Sequence, residues 1–397
     1  MPPPPLTARA YLTSRPLALG TTMAQTDGVA WMKAALRRVD ETQPVAGIDR
    51  ALRFYDLLAR QSQIDSRVTC LDDYTHQDWD RMRVHTAPHS GDGQAAPEAA
   101  HPWFRAPLDG RMEVFAETAL AVARQAFEDD TEAPDVLVQV SCTGYDSPNA
   151  VQRVMAERGW TSGPRVLHVG HMGCYAAVPA LATAADVVSA MAARTGGDAR
   201  AAVVLVEQCT LHHDPATVDV EQIVQQCLFA DGAALVDVTA EAPDAPHFAL
   251  LDHAEAVLPD TLGEMTWRTA SPAFRMTLSR DVPKHIRETV GPFVTDMLAR
   301  NGLTVDDVAA FAVHPGGPRV IESTAEALGL PDEKVAHSQA VLRTRGNMSS
   351  TTLPHIWARL LADETLPAGA LVASVAFGPG LTVVGNLLRK GGTPVDG

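Results

Sequence analysis

Cys174 ends the run Arg165-Val-Leu-His-Val-Gly-His-Met-Gly-Cys174, strand-like until it breaks at Gly173, and opens the small, apolar, helix-like run from Tyr175 to Ala193. A thiol in that turn meets the first amide groups and the positive end of a helix dipole, which favour its thiolate. Two later segments offer partners. Phe311-Ala-Val-His-Pro-Gly-Gly-Pro318 carries His314 at the end of an apolar strand, and Arg345-Gly-Asn-Met-Ser-Ser350 places Asn347 beside a helix start. Together they suggest a Cys, His, Asn site for carbon chemistry on thioesters. A lone cysteine before a helix is equally the signature of a small buried hydrophobe, so the inference rests on the three segments jointly.

The elements that must position these residues alternate along the chain. Helices are expected over 29–39, 48–62, 111–127 and 148–158, and strands over 135–141, 165–169, 201–207 and 233–239. From about Ala245 the same grammar repeats, with a strand over 247–252, a helix over 282–301, a strand over 309–313 into His314, a helix over 349–361 and strands over 371–376 and 381–388. The segment 84–107, with His85, His89 and His101, reads as a long surface loop whose histidines reflect solvated composition. The pattern implies a duplicated α/β architecture. It divides into an N-terminal half, 1–240, that carries the cysteine and a C-terminal half, 241–397, that carries the histidine and asparagine. The site is expected between them, outside the strand ends.

Composition bounds the partners. A chain of 397 residues, 46% hydrophobic, can bury a core larger than one typical domain. Its formal net charge of -16 argues against nucleic acid. No secretory signal and no uninterrupted apolar stretch of about 18 residues are read, so a cytoplasmic location away from membranes is expected. The five scattered cysteines lack C-x-x-C spacing and fit reduced thiols.

Gly173-Cys174, His314-Pro-Gly-Gly-Pro318, Gly346-Asn-Met-Ser-Ser350 and Gly378-Pro-Gly380 occur in an order and at intervals that resemble the chalcone synthase-like (type III) polyketide synthases. The likeness runs from about Arg105 to Leu388. It implies a thiolase-like duplicated α-β-α-β-α layered core and a homodimer with no tightly bound cofactor or metal. It further implies CoA or phosphopantetheine thioesters as substrates, and decarboxylative Claisen condensation that ends in a cyclised pyrone or aromatic polyketide. Carried over by residue, Cys174 would hold the acyl chain, while His314 would pair with the thiolate and, with Asn347, hydrogen-bond the thioester oxygen.

The resemblance also implies cavity positions. A family Phe that guards the passage to the cysteine would fall at Leu211 or His212, and a second near Met276. Cys142 and Thr143 would face substrate, with Ser147 where a residue often reaches the dimer partner. Gly316, Gly317, Gly378 and Pro379 would line a narrow pantetheine tunnel or active-site wall. The basic helix that usually holds CoA phosphates is weakened here to Arg60-Gln-Ser-Gln-Ile-Asp-Ser-Arg67, for which Arg319 could compensate, leaving an acyl-carrier-protein donor open. For His212 a polar gate and an ordinary loop histidine stand level, and Cys142 could equally pack at a strand end. The nearest alternative is a β-ketoacyl-ACP synthase III-like enzyme, or a stand-alone ketosynthase that joins two carrier-bound β-ketoacyl thioesters into a pyrone. A papain-like hydrolase and a non-catalytic scaffold are the other classes, the first disfavoured by the missing Cys-Gly-Ser-Cys-Trp-like context.

Overall fold

The computed structural model describes residues 6–42, 44–85, 106–160 and 162–392. Nine strands form one sheet in the order Ala310–Val313, Leu371–Gly378, Thr382–Gly391, His247–Val257, Ala10–Pro16, Asp231–Thr239, Arg200–Gln208, Val136–Ser141 and Arg165–Gly170. The first half of the chain thus supplies one end of the sheet and the second half the other. Residue 240, the division between the two sequence halves, lies in the link between the strands Asp231–Thr239 and His247–Val257. The N-terminal strand Ala10–Pro16, which the sequence pattern did not reveal, pairs antiparallel with both flanking strands and joins the two halves.

Side-chain alternation builds the layers. In Val136–Ser141 and Arg200–Gln208, Val136, Val138, Val203 and Leu205 enter one core while Leu137, Ala202, Val204 and Val206 enter another, as a period of two requires. In Ala310–Val313, Ala310 and Ala312 enter that same first core, whereas Phe311 and Val313 enter a third. The shared core is filled by the helices Ala177–Thr195 and Thr352–Ala362, so both halves of the sheet present one face to the same pair of helices. The outer faces are covered by Gln25–Thr42, Ile48–Gln61 and Leu108–Ala126 on one half, and by Val282–Arg300, Pro318–Leu328 and Asp332–Arg345 on the other. These are the expected α-β-α-β-α layers.

Helix Ala177–Thr195, with a mean hydropathy of 1.2 over 18 residues, is apolar enough by length and composition to cross a membrane, although Asp186 interrupts its apolar run. It instead forms the central layer, with Ala177, Leu181, Ala184 and Val188 buried against the sheet. The small residues let the strands of both halves approach it. Helix Ala150–Arg158 starts two residues later than the pattern implied, since Asn149 caps it in a reciprocal box with Gln152.

His89 and His101 lie outside the described residues. His85 is not solvated as expected: it is buried, and its Nε2 hydrogen-bonds the Tyr74 hydroxyl at 2.9 Å.

Candidate active site

Each of the three chemistry-bearing residues leaves a regular element at a turn. Cys174 follows the edge strand Arg165–Gly170 through His171 at φ 60 and Gly173 at φ 83, then enters helix Ala177–Thr195. A Cβ on Gly173 would come within 2.7 Å of Pro379 Cδ, so both its backbone and its surroundings select glycine. His314 continues directly from Ala310–Val313, its amide donating to the Val375 carbonyl at 2.8 Å. Asn347 leaves helix Asp332–Arg345 through Gly346 at φ 73 and is pinned to the Phe229 segment. Its amide donates to Leu228 O at 2.9 Å, and its carbonyl accepts from Ala230 N at 2.8 Å.

The Asn347 side chain joins the three segments. Its amide donates to Gly316 O at 3.4 Å, two residues beyond His314, and stands near enough to the Cys174 sulfur to favour its thiolate, while Oδ1 accepts from Ser349 N at 2.9 Å. Ser349 lies beside the same sulfur, and its hydroxyl stands 3.2 Å from Cys142 Sγ. Burial pushes the Cys174 thiol up to about 12, against the influence of Ser349 and Asn347, with the nearby Glu207 carboxylate adding to the rise. Burial also drives His314 down to about 3. The resting pair is therefore a thiol and a neutral imidazole. No hydrogen bond joins Cys174 and His314 among the described residues, and both His314 ring nitrogens are buried without a hydrogen-bond partner there.

Cys174 opens on an enclosed cavity of about 20 Å³. Of the expected wall residues, Cys142, Thr143, Met276 and Pro379 line it. Leu211 does not: it is fully buried in the core of the N-terminal half. His212 is neither gate nor exposed loop. Its ring stacks on Phe274 at 4.3 Å, Nδ1 accepts from Phe274 N at 3.1 Å, and Nε2 lies 2.7 Å from Thr143 O. That pairing puts the ring proton on Nε2, and burial lowers its pKa to about 3.

The aromatic residue at the cavity is instead Phe229, held in place by the neighbouring bridge to Asn347. Trp267 and Met265 complete the roof from the small hairpin Met265–Arg268/Arg275–Leu278. Trp267 Nε1 donates to Cys142 O at 2.6 Å, which ties this hairpin to the cavity wall. Cys209 lines the cavity too.

The glycines serve packing more than a tunnel. A Cβ on Gly378 would fall 2.3 Å from Tyr175 Cδ1, whereas on Gly316 and Gly317 it would meet Val320 at 3.2 Å and Leu228 at 3.3 Å. Arg319 is exposed in the first turn of Pro318–Leu328. Arg67, in contrast, is buried and donates to the Gln226 and Phe229 carbonyls at 2.7 and 2.6 Å, so it is withdrawn from any surface phosphate.

Glu207, which the sequence reading passed over, is wholly buried beside the cavity. It accepts from Cys142 N at 3.0 Å, Thr143 Oγ1 at 2.8 Å and Ser350 Oγ at 2.5 Å. Burial raises its pKa against those hydrogen bonds. A carboxylate closing the run Ala201-Ala-Val-Val-Leu-Val-Glu207 was the signal that could have found it, because such residues are seldom buried without partners.

Residues 250–391 match the family of chalcone and stilbene synthases, C-terminal domain. The chain is 32% identical over 257 residues to an alpha-pyrone synthesis polyketide synthase-like protein of Mycobacterium tuberculosis, covering 64% of each chain. The backbone superposes on the crystal structure of PKS-I from the brown alga Ectocarpus siliculosus with a TM-score of 0.78 at 26% identity, over 96% of this chain and 98% of that one. In sequence and in fold the chain is similar to type III polyketide synthases, and it spans 64% of the length of the mycobacterial relative it matches. A 1,3,6,8-tetrahydroxynaphthalene synthase of Streptomyces griseus is 28% identical over 299 residues, 74% of this chain and 78% of its relative.

Proposed function

We propose that this chain is a carbon–carbon bond-forming acyltransferase that loads an acyl group on Cys174 and extends it by decarboxylative Claisen condensation with a malonyl thioester. The product released is a cyclised pyrone or aromatic polyketide. The observation that carries the reading is the Asn347 side chain, which stands beside the Cys174 thiol and donates to Gly316 O in the segment that follows His314.

In this reaction the Cys174 proton passes to His314, and sulfur attacks the carbonyl of an acyl-CoA thioester. CoA thiolate departs and takes the proton back. Loss of carbon dioxide from the malonyl thioester leaves an enolate, whose oxygen receives hydrogen bonds from Asn347 and the His314 ring. Its carbon attacks the acyl thioester, and Cys174 leaves as a thiolate. One well-aimed donor in such a site contributes about 3–4 kcal/mol. Asn347 suits the role because its amide donates without being able to lose a proton. Burial excludes water from the enolate, and it keeps the imidazole neutral so that its ring N–H can donate to the enolate oxygen, while it opposes the thiolate–imidazolium pair until the thioester arrives.

CoA thioesters are the proposed donors. A homodimer in the cytoplasm is proposed as well. The strand Arg165–Gly170 is the unpaired edge of the sheet, and beside it an open groove of about 610 Å³ is lined by exposed Tyr145 and Ser147 together with His168. An edge strand left open in this way is suited to cover by a second copy.

The test is incubation with malonyl-CoA and a series of acyl-CoA starters, following intact-protein mass and small-molecule products. Acyl mass on Cys174 and a cyclised product are expected. Full condensation by Cys174→Ala would overturn the reading.

A further inference from the structure

Beside Phe229 lies a second cavity of about 30 Å³, open on one side along exposed Ala24 and half-buried Gly28 and bordered inside by Arg67, Thr210, His213 and Phe229. Phe229 lines the Cys174 cavity as well, so the two are neighbours. Two groups in the back chamber stand out chemically. The first is His213, 1% exposed, with both ring nitrogens unpartnered among the described residues. The second is the Arg67 guanidinium, which has no salt bridge there and spends Nη1 on two backbone carbonyls.

Asp231, the carboxylate whose field reaches Arg67, is committed elsewhere, accepting from Cys70 N at 2.7 Å, Thr210 N at 2.8 Å and Thr210 Oγ1 at 2.6 Å. A buried cation without a carboxylate partner and a neighbouring imidazole with open nitrogens are costly unless an anion completes them. The volume is about twice the 10–15 Å³ that one water needs, which is room for the two oxygens of a carboxylate.

We infer that this chamber is a carboxylate-binding subsite. On this reading, which rests on the proposed loading of Cys174, the synthase takes starters with a free terminal carboxylate, half-thioesters of small dicarboxylic acids, once the Phe229 ring swings aside. Arg67 supplies the charge. His213 donates one hydrogen bond to the carboxylate.

The test compares kcat/KM for succinyl-CoA and glutaryl-CoA with that for their uncharged isosteres, 4-methylpentanoyl-CoA and 5-methylhexanoyl-CoA, with malonyl-CoA as extender. A charge-assisted pair with buried Arg67 and His213 predicts a preference of about ten- to a hundredfold for at least one dicarboxylyl starter. The preference is expected to vanish in His213→Phe and to persist in His213→Gln, which keeps a donor and an acceptor. Should His213→Phe not fold, Met32→Phe fills the same chamber from another wall and is expected to remove the preference as well. Loading of the uncharged starters with no preference in the wild type, or a preference untouched by these variants, overturns the subsite while leaving the synthase reading intact. Failure to load any starter would instead overturn the synthase reading.

Discussion

Gly378→Ala isolates one contact between the two halves of the site. A methyl at Gly378 would stand 2.3 Å from Tyr175 Cδ1 and 2.9 Å from Cε1. Carbon atoms normally rest about 3.5–4.0 Å apart, so the ring must retreat by more than 1 Å. Gly378 is not at positive φ, so alanine carries no backbone penalty there and the whole effect is steric. Tyr175 follows Cys174 directly in the chain. Displacing the ring therefore moves the turn that carries the proposed nucleophile. Overpacking of this kind costs about 1–3 kcal/mol of stability, and a misplacement of about 1 Å at a reacting group costs on the order of a hundredfold in rate. The expected result is a fold that survives with kcat/KM about a hundredfold lower. In Gly378→Ala/Tyr175→Leu, where the planar ring is gone, most of that loss should be recovered relative to Tyr175→Leu alone. Product formation from acyl-CoA and malonyl-CoA, with urea unfolding of the same samples, measures both quantities. Activity of Gly378→Ala within twofold of wild type, or a double variant no better than additive, would refute the reasoning.

Asn347→Ala should lower kcat by about 10²–10³ while leaving acyl loading on Cys174 detectable by intact mass; loss of loading together with turnover would assign Asn347 to the nucleophile alone. Glu207→Leu strands the buried Cys142 amide at a cost of about 1–3 kcal/mol in urea unfolding, whereas Glu207→Gln, which keeps an acceptor, should stay within about 1 kcal/mol of wild type. Burial lowers His314 from 6.5 to about 3 and raises Cys174 from 9.0 to about 12. Below pH 6.5 the unfolded chain binds a proton that the folded imidazole refuses, and above pH 9 it releases one that the folded thiol keeps. Their joint contribution is thus fullest between these values and declines toward pH 3 and pH 12. Urea midpoints that fall below pH 6.5 in the wild type, and less steeply in His314→Phe, are expected; identical slopes would remove His314 as a source of the acid limb.

The order of strands and helices was legible because alternation with a period of two is a property of local sequence, and the runs Val136–Ser141 and Arg200–Gln208 show it plainly. So were the three chemical positions, each set by a glycine or strand end at a turn: Gly173 before Cys174, the apolar strand before His314, and Gly346 before Asn347. Neither Ala10–Pro16, which joins the halves, nor the cavity wall could be read this way. A strand's place in a sheet depends on which distant edges remain free, and a wall is made of side chains brought together from remote segments. Only the tertiary structure could decide that Phe229 rather than Leu211 faces Cys174, that His212 is locked against Phe274, and that Glu207 is satisfied by residues on either side of the cavity. The sequence by itself determined the proposed reacting groups and the turns that present them, because both are local. The tertiary structure decided what surrounds those groups, and hence their charge state and the room left for substrate, because burial and contact are properties of the assembled layers.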